Sequence, residues 1–328
     1  MVLEVLQPGL YTTVQDEGRP GFGHLGVSRS GAMDADGLRL ANLMVGNTRS
    51  AAGLEMTATG PLLQAQGDAA VALVGCGWYM VDGGGNMISS PGIHLLNTGD
   101  TLQVGRQPRA SCRAYLALHG GIESPAVMGS RSTDSRAEIG GIGGGRLTGG
   151  DHIEAGFSAE NTPTAITIDR IELPQHVQPL VKREWTGDCQ VRVVMGPHDG
   201  YFDPSQKDVF LSTDYTVSTT SNRVGFRLEG PRLAVLEKGS LLSEGMTAGC
   251  VQVPPGGQPI LLTADCQTMG GYPVICTVVS ADLGTVGRCG PGDVLKFSAI
   301  TREQAEMIKM LQARDWRRFE LAMRPQDS

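Results

Sequence analysis

Glycine constrains this chain more than any other residue, because it divides the sequence into short segments. Glycine occupies 46 of 328 positions, roughly twice its ordinary frequency. Between the glycines lie runs rich in Val, Ile and Leu, each bounded by Gly, Pro, Asp or Asn. Clear examples are residues 69–75, 113–120, 190–196, 258–264 and 274–280. Many short runs separated by turn residues predict an all-β sandwich or barrel.

Two segments instead have the spacing of helices. Residues 32–46 carry apolar side chains at helical intervals, with Asp34 as the candidate N-cap and Gly46 as the candidate stop. Residues 301–323 begin with Thr301 followed by acidic and amide residues, which is a favourable helix start. We therefore expect a mostly β fold with a few short helices and a C-terminal helix.

Similar elements in the two halves of the chain indicate two β subdomains. A glycine–aspartate turn followed by an alternating strand occurs at 98–105, 149–156 and 290–298. In addition, 19–26 resembles 223–230, since both have an arginine, then Gly-Phe, then a closing glycine. These repeated sequence elements favour two halves of similar β architecture.

A segment that contains three prolines, 158–185, is typical of a connection between such halves. A boundary at its end predicts a first β subdomain with the connecting segment at 1–185. The second β subdomain is then expected at 186–300, and the C-terminal helix and tail at 301–328.

Composition and charge limit the expected partners. The formal net charge of -7 argues against nucleic acid or an anionic membrane as the main partner. The most apolar stretches, such as 69–81, are too short to span a bilayer. The N-terminus has an early Glu4 and no basic region, unlike a signal peptide. Seven scattered cysteines without a CxxC pair favour reduced thiols, so we expect a cytoplasmic protein without nucleic-acid or membrane partners.

Several common catalytic signatures are missing from the sequence. It has no GxxxxGK[ST] phosphate loop, no strand–GxGxxG–helix pattern, no HExxH or HxH spacing and no GxSxG elbow. Lys309, beside Met310, resembles the Met-Lys-Met of a biotin carrier. A biotinylated lysine sits on a hairpin turn, however, and Lys309 lies in a predicted helix. We therefore expect no metal site and no covalent biotin on this chain.

The first dense polar motif is 12–34, which contains His24 and Ser30 among several glycines. Glycine allows backbone N–H groups to approach a ligand closely. The motif is therefore interpreted either as a loop that lines a ligand cleft or as a set of tight β-turns capped by polar side chains.

The second motif is 220–231, in which Asn222 can both donate and accept hydrogen bonds. Arg223 and Arg227 alternate along the sequence, so a strand would place them on one face, where they could bind an anionic group. The alternative is an ion pair with a nearby acid, such as Glu229 or Glu237.

The third motif, 263–273, follows an apolar strand and contains a glycine pair. An acid at a strand end beside such a turn suits a ligand contact, although it equally suits a buried aspartate that binds turn amides. A further glycine-rich loop lies upstream at 243–249. The polar residues of these two segments are Asp265, Gln267, Thr268 and Tyr272 in the first, and Ser243 and Glu244 in the second.

Taken in order, these motifs resemble the biotin-dependent carboxyltransferase-like family, which includes KipA and the second-subunit type of allophanate hydrolase. Within it, 243–265 looks most like the C-subunit type of 5-oxoprolinase. The resemblance implies two cyclophilin-like β-barrel subdomains and a smaller KipI-like partner. The segments that carry it are 12–34, 41–47, 113–134, 220–231, 241–273 and 290–297.

The resemblance also implies a reaction, the ATP-dependent opening of 5-oxoproline to L-glutamate. In it the chain would act as the C-type component, beside a KipI-like B-type component and an A-type component, on a small-molecule amide substrate. The residues expected to be catalytic are Asn222, Arg223, Glu244 and Asp265. Those expected to bind substrate are His24, Ser30, Arg227, Ser243, Gln267, Thr268 and Tyr272.

Two other functions remain compatible with the same family resemblance. One is a KipA-like regulator that binds a KipI-like kinase inhibitor and has no turnover of its own. The other is a carboxyltransferase that acts on another amide, such as urea, and receives its carboxyl group from a separate biotin carrier.

Overall fold

The computed structural model describes residues 1–156, 173–236 and 241–323. The chain divides into two compact units. The first comprises Met1–Arg19, Ala35–Thr186 and Gln312–Ser328, and the second comprises Pro20–Asp34 and Gly187–Leu311. Residues 20–34 were expected in the first subdomain, whereas they belong to the second unit. A separate C-terminal part was expected at 301–328; of its described residues, 301–311 belong to the second unit and 312–323 to the first.

In its described residues, the first unit contains two antiparallel sheets, one complete α-helix and the C-terminal half of the last helix of the chain. Its strands are β1 (Val2–Gln7), β2 (Tyr11–Gln15), β3 (Gly53–Thr57), β4 (Leu62–Ala65), β5 (Ala69–Val74), β6 (Trp78–Asp82), β7 (Met87–Ser89), β8 (Gly92–Leu96), β9 (Thr101–Arg106), β10 (Arg113–Leu118), β11 (Ile122–Glu123) and β12 (His152–Ala155), and its helix is α1 (Ala35–Met44). One sheet has the order β11-β12-β1-β4-β9-β6-β7, and the other has the order β2-β3-β10-β5-β8.

The core of this unit explains its sequence pattern. Strands β5 and β10 are buried along their whole length and therefore read as continuous apolar runs. Strands β1 and β4 alternate instead, with Leu3, Val5 and Leu63 inside. Trp78 is buried among these side chains, and its indole N–H is satisfied by the carbonyl of Ser111 at 2.9 Å.

The second unit is built around a closed barrel with the strand order β13-β20-β17-β18-β15-β14-β21. A separate two-stranded sheet pairs β16 with β19. The strands are β13 (Asp188–Met195), β14 (Tyr215–Val217), β15 (Gly225–Glu229), β16 (Glu244–Gly245), β17 (Cys250–Gln252), β18 (Ile260–Leu262), β19 (Met269–Gly270), β20 (Val274–Val278) and β21 (Val294–Ala299), and the helices that follow α1 in the chain are α2 (Pro204–Ser212), α3 (Leu283–Arg288) and α4 (Arg302–Met323).

An aromatic cluster fixes α2 onto the barrel. Phe210 of α2 stacks on Phe297 of β21 with 4.6 Å between ring centroids, and Tyr215 of β14 packs against both rings. All three side chains are buried. Desolvation raises the pKa of Tyr215 to about 12, so its hydroxyl stays neutral throughout the physiological range.

The mostly β fold with few helices is confirmed. Each of the five apolar runs contains a strand, and the predicted C-terminal helix is α4. Thr301 caps α4 reciprocally with Gln304, because each backbone N–H bonds the other's side chain, at 2.9 Å and 3.2 Å. The predicted helix at 32–46 is α1, and Gly46 after it has a φ of 76°.

The C-terminal half of α4 packs against α1 within the first unit. The Trp316 N–H donates to Asp36 at 2.8 Å. The guanidinium of Arg39 lies 4.3 Å from the centre of the Trp316 ring and also pairs with Glu320 at 2.5 Å. Among the described residues, no helix is both long and apolar enough to cross a membrane.

We predict that Phe210→Ala lowers the free energy of unfolding by about 3–5 kcal/mol, because it leaves a cavity against Phe297 and Tyr215. Urea denaturation checks this value. Leu242→Ala is the control, since Leu242 is 82% exposed, and it should change stability by less than about 0.5 kcal/mol. Equal effects of the two variants would contradict the packing role of Phe210.

Candidate functional site

The segment Pro20–Asp34 runs along a barrel loop of its own unit. The Ser30 N–H donates to the carbonyl of Ala264 at 3.1 Å, and the Ser28 hydroxyl donates to the carbonyl of Cys266 at 3.1 Å. At Gly23, an added Cβ would lie 3.9 Å from the methyl group of Thr268. The glycine-rich motif and the loop after β18 therefore form one continuous surface.

A buried ion pair between Arg223 and Asp265 anchors this surface. Arg223 donates from Nε to Oδ2 at 2.8 Å and from Nη2 to Oδ1 at 2.9 Å. Its Nη2 also donates to the carbonyl of Gly31 at 2.7 Å. The Asp265 N–H returns a bond to the Arg223 carbonyl at 2.8 Å. One guanidinium thus joins the start of β15, the loop after β18 and the glycine-rich segment.

The geometry of this pair leaves the Arg223 guanidinium occupied. Its fork faces the Asp265 carboxylate in the bidentate arrangement that arginine favours, and the two side chains are only 6% and 7% exposed. The sequence left an ion pair open as the alternative to anion binding, with Glu229 or Glu237 as the acid. The structure forms an ion pair, but its acid is Asp265; Glu237 lies outside the described residues.

A second buried pair fixes the end of the same segment. Arg288, the last residue of α3, donates from Nη1 to Asp34 at 3.0 Å, and the two side chains are 4% and 0% exposed. An added Cβ at Gly287 would collide with the carbonyl of Met33, so only glycine lets α3 approach this closely. Neither Arg288 nor Gly287 was predicted from the sequence. The adjacent glycine and arginine at the end of α3 are the sequence feature that could have indicated this close packing and ion pair.

Ser30 is the most unusual residue of the surface. Its φ is 54°, in the left-handed region that residues other than glycine rarely adopt. Its side chain is 5% exposed, and its Oγ has no hydrogen-bond partner within the described ranges. A buried hydroxyl without a partner is uncommon. Backbone strain and an unmet polar group thus coincide at one of the residues expected to bind substrate.

Asn222 sits at the edge of the buried pair and is itself exposed. Its Oδ1 accepts from the N–H groups of Val224 at 2.9 Å and Gly225 at 3.4 Å, which forms a tight Asx turn. These two donors identify the oxygen of the carboxamide. The Nδ2 group therefore remains as the donor that the side chain can offer to a ligand.

Glu244 has a partner that was not predicted from the sequence. His198 follows β13 and is buried, and its Nε2 lies 3.4 Å from Glu244 Oε2. Its Nδ1 accepts from the Val274 N–H at 3.3 Å, so the proton of the neutral ring resides on Nε2 and points to Glu244. His198 orients this exposed carboxylate. The histidines have no metal-binding spacing, and the 46-residue separation of His198 from Glu244 gives no local signal.

The other predicted substrate-binding residues lie on the glycine-rich segment and on the chain around β16 and β19. Gln267 is exposed and its Nε2 lies 3.5 Å from Gln252 Oε1, while the carbonyl of Thr268 accepts from Met246 at 2.8 Å. Ser243 and Tyr272 are both exposed, and within the described residues no side-chain hydrogen bond holds either of them. His24 is exposed too, and its Nδ1 lies 3.0 Å from the carbonyl of Gly21.

Arg227 is the predicted residue that the structure places elsewhere. Strand β15 begins at Gly225, so Arg223 precedes it and the two arginines do not share a strand face. Along β15, Phe226 and Leu228 are buried, whereas Arg227 is exposed and lines a separate cavity. The expected common anion-binding face is therefore absent from this strand.

Cys266 follows Asp265 directly but is unsuited to act as a nucleophile. Desolvation, with smaller contributions from Cys250 and Asp265, raises the pKa of the Cys266 thiol to about 12. At neutral pH it is a thiol and not the reactive thiolate. All seven cysteines are free and buried. In the described parts of the chain, His, Cys, Asp and Glu form no group of three or more that could hold a metal ion.

Comparison with known proteins defines the class to which this architecture belongs. The sequence profile of the family "Carboxyltransferase domain, subdomain A and B" matches residues 25–299. The chain belongs to this family, as the motifs predicted.

Individual relatives make the likeness more specific. The chain is 36% identical over 320 residues to the C subunit of 5-oxoprolinase from Escherichia coli (strain K12), covering 95% of this chain and 96% of that protein. It is 30% identical over 313 residues to the C subunit of 5-oxoprolinase from Haemophilus influenzae, covering 94% of each. The crystal structure of K. lactis urea amidolyase superposes with a TM-score of 0.86 at 30% identity, covering 97% of this chain and 20% of that one.

We predict that Asp265→Asn and Arg223→Met each lower the free energy of unfolding by about 3–5 kcal/mol, because each leaves an uncompensated buried group. The double variant should lose less than the sum of the two. Chemical denaturation of the four proteins completes the double-mutant cycle.

Arg302→Met is the matched control for this cycle. Arg302 also pairs with a carboxylate, Glu306 at 2.9 Å, but its side chain is 80% exposed. The loss should stay below about 1 kcal/mol. Additive losses in the Arg223 and Asp265 cycle would show that the two side chains act independently.

Proposed function

We propose that this chain is the C-type component of a multisubunit 5-oxoprolinase, an ATP-dependent amidohydrolase that opens 5-oxoproline to L-glutamate. The observation that carries the proposal is the end-to-end match, at 36% identity, to the C subunit of 5-oxoprolinase from Escherichia coli. That match accounts for nearly the whole of both proteins. The urea amidolyase likeness, in contrast, spans one fifth of a longer chain.

The proposed reaction must overcome the stability of a lactam. Its carbonyl is a poor electrophile, because the ring nitrogen donates its lone pair to it. The γ-phosphoryl group of ATP passes to the lactam oxygen and ADP leaves. Water then adds to the activated carbon, the C–N bond breaks and the nitrogen takes up a proton. A second water molecule releases phosphate from the resulting acyl phosphate, which leaves L-glutamate.

The surface around Ser30 supplies the groups that this chemistry requires. Ser30 Oγ and Asn222 Nδ2 act as hydrogen-bond donors to the oxygens on which negative charge develops. The unpartnered state of Ser30 Oγ supports this role, since a ligand oxygen would satisfy it. Glu244, oriented by His198, accepts the hydrogen bond of the lactam N–H.

Arg223 and Asp265 contribute to the reaction by positioning the backbone beside Ser30. Their charges neutralise each other in a bidentate pair, and Arg223 Nη2 also donates a hydrogen bond to the carbonyl of Gly31. This arrangement holds the backbone beside Ser30 in its strained conformation. Both residues therefore support the donors and do not themselves contact the substrate.

The remaining components of the proposed enzyme are a KipI-like B-type protein and an A-type protein, with ATP as co-substrate of the complex. Two relatives of this chain are named as C subunits of 5-oxoprolinase, which supports a multisubunit assembly. Lys309 lies inside α4 and not on a hairpin turn, which supports the proposal that this chain carries no covalent biotin.

Reconstitution tests the proposal directly. The chain is co-expressed with its A-type and B-type partners, and glutamate is measured after addition of ATP and 5-oxoproline. We expect glutamate only when all three proteins and ATP are present. Equal glutamate formation without this chain would refute the assignment, and an intact complex that forms none would leave the KipA-like regulatory function in its place.

Ser30→Ala and Asn222→Ala test the donors within the active complex. We expect each to lower kcat/KM about 100-fold, because a donor to a developing oxyanion is lost. Ser30→Ala should leave the free energy of unfolding unchanged or raise it by up to about 1 kcal/mol, since it removes a buried hydroxyl without a partner. Ser50→Ala, at an exposed position, should change neither quantity. Full activity of Ser30→Ala would contradict the donor role.

A carboxyltransferase acting on a small amide such as urea is the second candidate function. The TM-score of 0.86 to urea amidolyase over 97% of this chain favours it. Its test supplies a biotin carboxylase and a biotinylated carrier with bicarbonate, ATP and urea. Urea-dependent loss of the carboxyl group from carboxybiotin would support this function, and loss at the urea-free rate would exclude it.

A further inference from the structure

A cavity of about 410 Å³ lies on the second unit, around the exposed face of β15. We call it the outer cavity. Most of its accessible wall is apolar, and its polar residues are Ser218, Arg227, Glu229, Arg232 and Gln258. Its volume is in the range of small-molecule sites. None of the groups assigned above to the lactam reaction lines it.

The charged groups of the outer cavity do not pair with one another. Arg227 and Glu229 alternate along β15 and are both exposed, so they share a face about 6.6 Å apart. Arg232 approaches from the following loop, where the Leu233 N–H donates to the carbonyl of Gly257 at 2.9 Å. No ion pair involves the three charged side chains in the described ranges 1–156, 173–236 and 241–323. Two cations and one anion without an ion-pair partner therefore border the cavity.

Gln258 adds a fixed acceptor to this wall. Its Nε2 donates to the carbonyl of Gly230 at 3.1 Å, which determines the orientation of the carboxamide. Its Oε1 is buried and has no hydrogen-bond partner in the part of the chain that the structure describes. An acceptor in this state favours a ligand that carries N–H groups.

From these groups we infer that the outer cavity binds an acidic α-amino acid. Its two carboxylates pair with Arg227 and Arg232, for which arginine has the fitting donor geometry. Its ammonium group lies between the Glu229 carboxylate and Gln258 Oε1. The cavity has a net charge of +1 and the ligand a net charge of -1, so binding leaves no uncompensated charge.

L-glutamate belongs to this class of ligand and is the product of the proposed reaction, a link that rests on the proposed function. The outer cavity then gives the chain a product site apart from the surface around Ser30. The class of ligand itself follows from the charges and the unmet acceptor, without reference to the reaction.

Isothermal titration of the full chain with L-glutamate, glutarate and 5-oxoproline tests the inference. We expect L-glutamate to bind more tightly than the other two, because only it offers two carboxylates and an ammonium group. Arg227→Gln and Arg232→Gln should each weaken L-glutamate binding at least about tenfold through the loss of a charged hydrogen bond. Arg136→Gln is the matched control, an exposed arginine of the first unit, and should leave binding unchanged.

Glu229→Gln tests the place of the ammonium group. This variant should bind L-glutamate more weakly and glutarate more tightly, because it removes both an attraction to the ammonium and a repulsion of carboxylates. No binding of L-glutamate, or binding unaffected at Arg227 and Arg232, would overturn the inference. Tighter binding of 5-oxoproline than of L-glutamate would overturn the class of ligand.

The titration requires no turnover, so it separates this inference from the proposed function. A reconstituted complex that forms glutamate, together with a chain that does not bind it, overturns the inference alone. A chain that binds L-glutamate through Arg227 and Arg232, within a complex that forms none, overturns the proposed function alone.

Discussion

The buried ion pair between Arg223 and Asp265 is the interaction on which the candidate site depends. Two charges removed from water are tolerated only where they face each other closely and their remaining hydrogen-bonding groups are satisfied. Here the fork of the guanidinium meets both carboxylate oxygens, and Nη2 also reaches the carbonyl of Gly31. The pair thus fastens the glycine-rich segment to the barrel loop, and Arg288 with Asp34 fastens the end of that segment to α3.

This anchoring explains how Ser30 can remain strained. A serine at a φ of 54° with an unpartnered Oγ is unfavourable by itself. It persists because its own N–H is held by the carbonyl of Ala264 and the next residue, Gly31, is held by Arg223. Asn222, beside the ion pair, and Glu244, on β16, are both exposed. Buried groups held by an ion pair, together with exposed polar groups, can hold a polar substrate and direct hydrogen bonds at it.

Prediction from the sequence succeeded where the information is local. The apolar runs became strands, and Thr301 and Gln304 formed the reciprocal cap of α4. Prediction failed where the first residue of a strand decides which way a side chain points. Arg223 and Arg227 were expected on one face, but β15 begins at Gly225. Arg223 therefore turns inward to Asp265, while Arg227 lines the outer cavity.

By itself the sequence determined the short strands, the helices and the family, because hydrophobic spacing, turn residues and ordered motifs are properties of neighbouring positions. Only the tertiary structure decided which polar groups meet. Arg223 and Asp265 are 42 residues apart, and Asp34 and Arg288 are 254 apart. Such pairs are brought together by barrel closure and by the path of the glycine-rich segment. Local pattern cannot predict them, because any of several acids could have paired with each arginine.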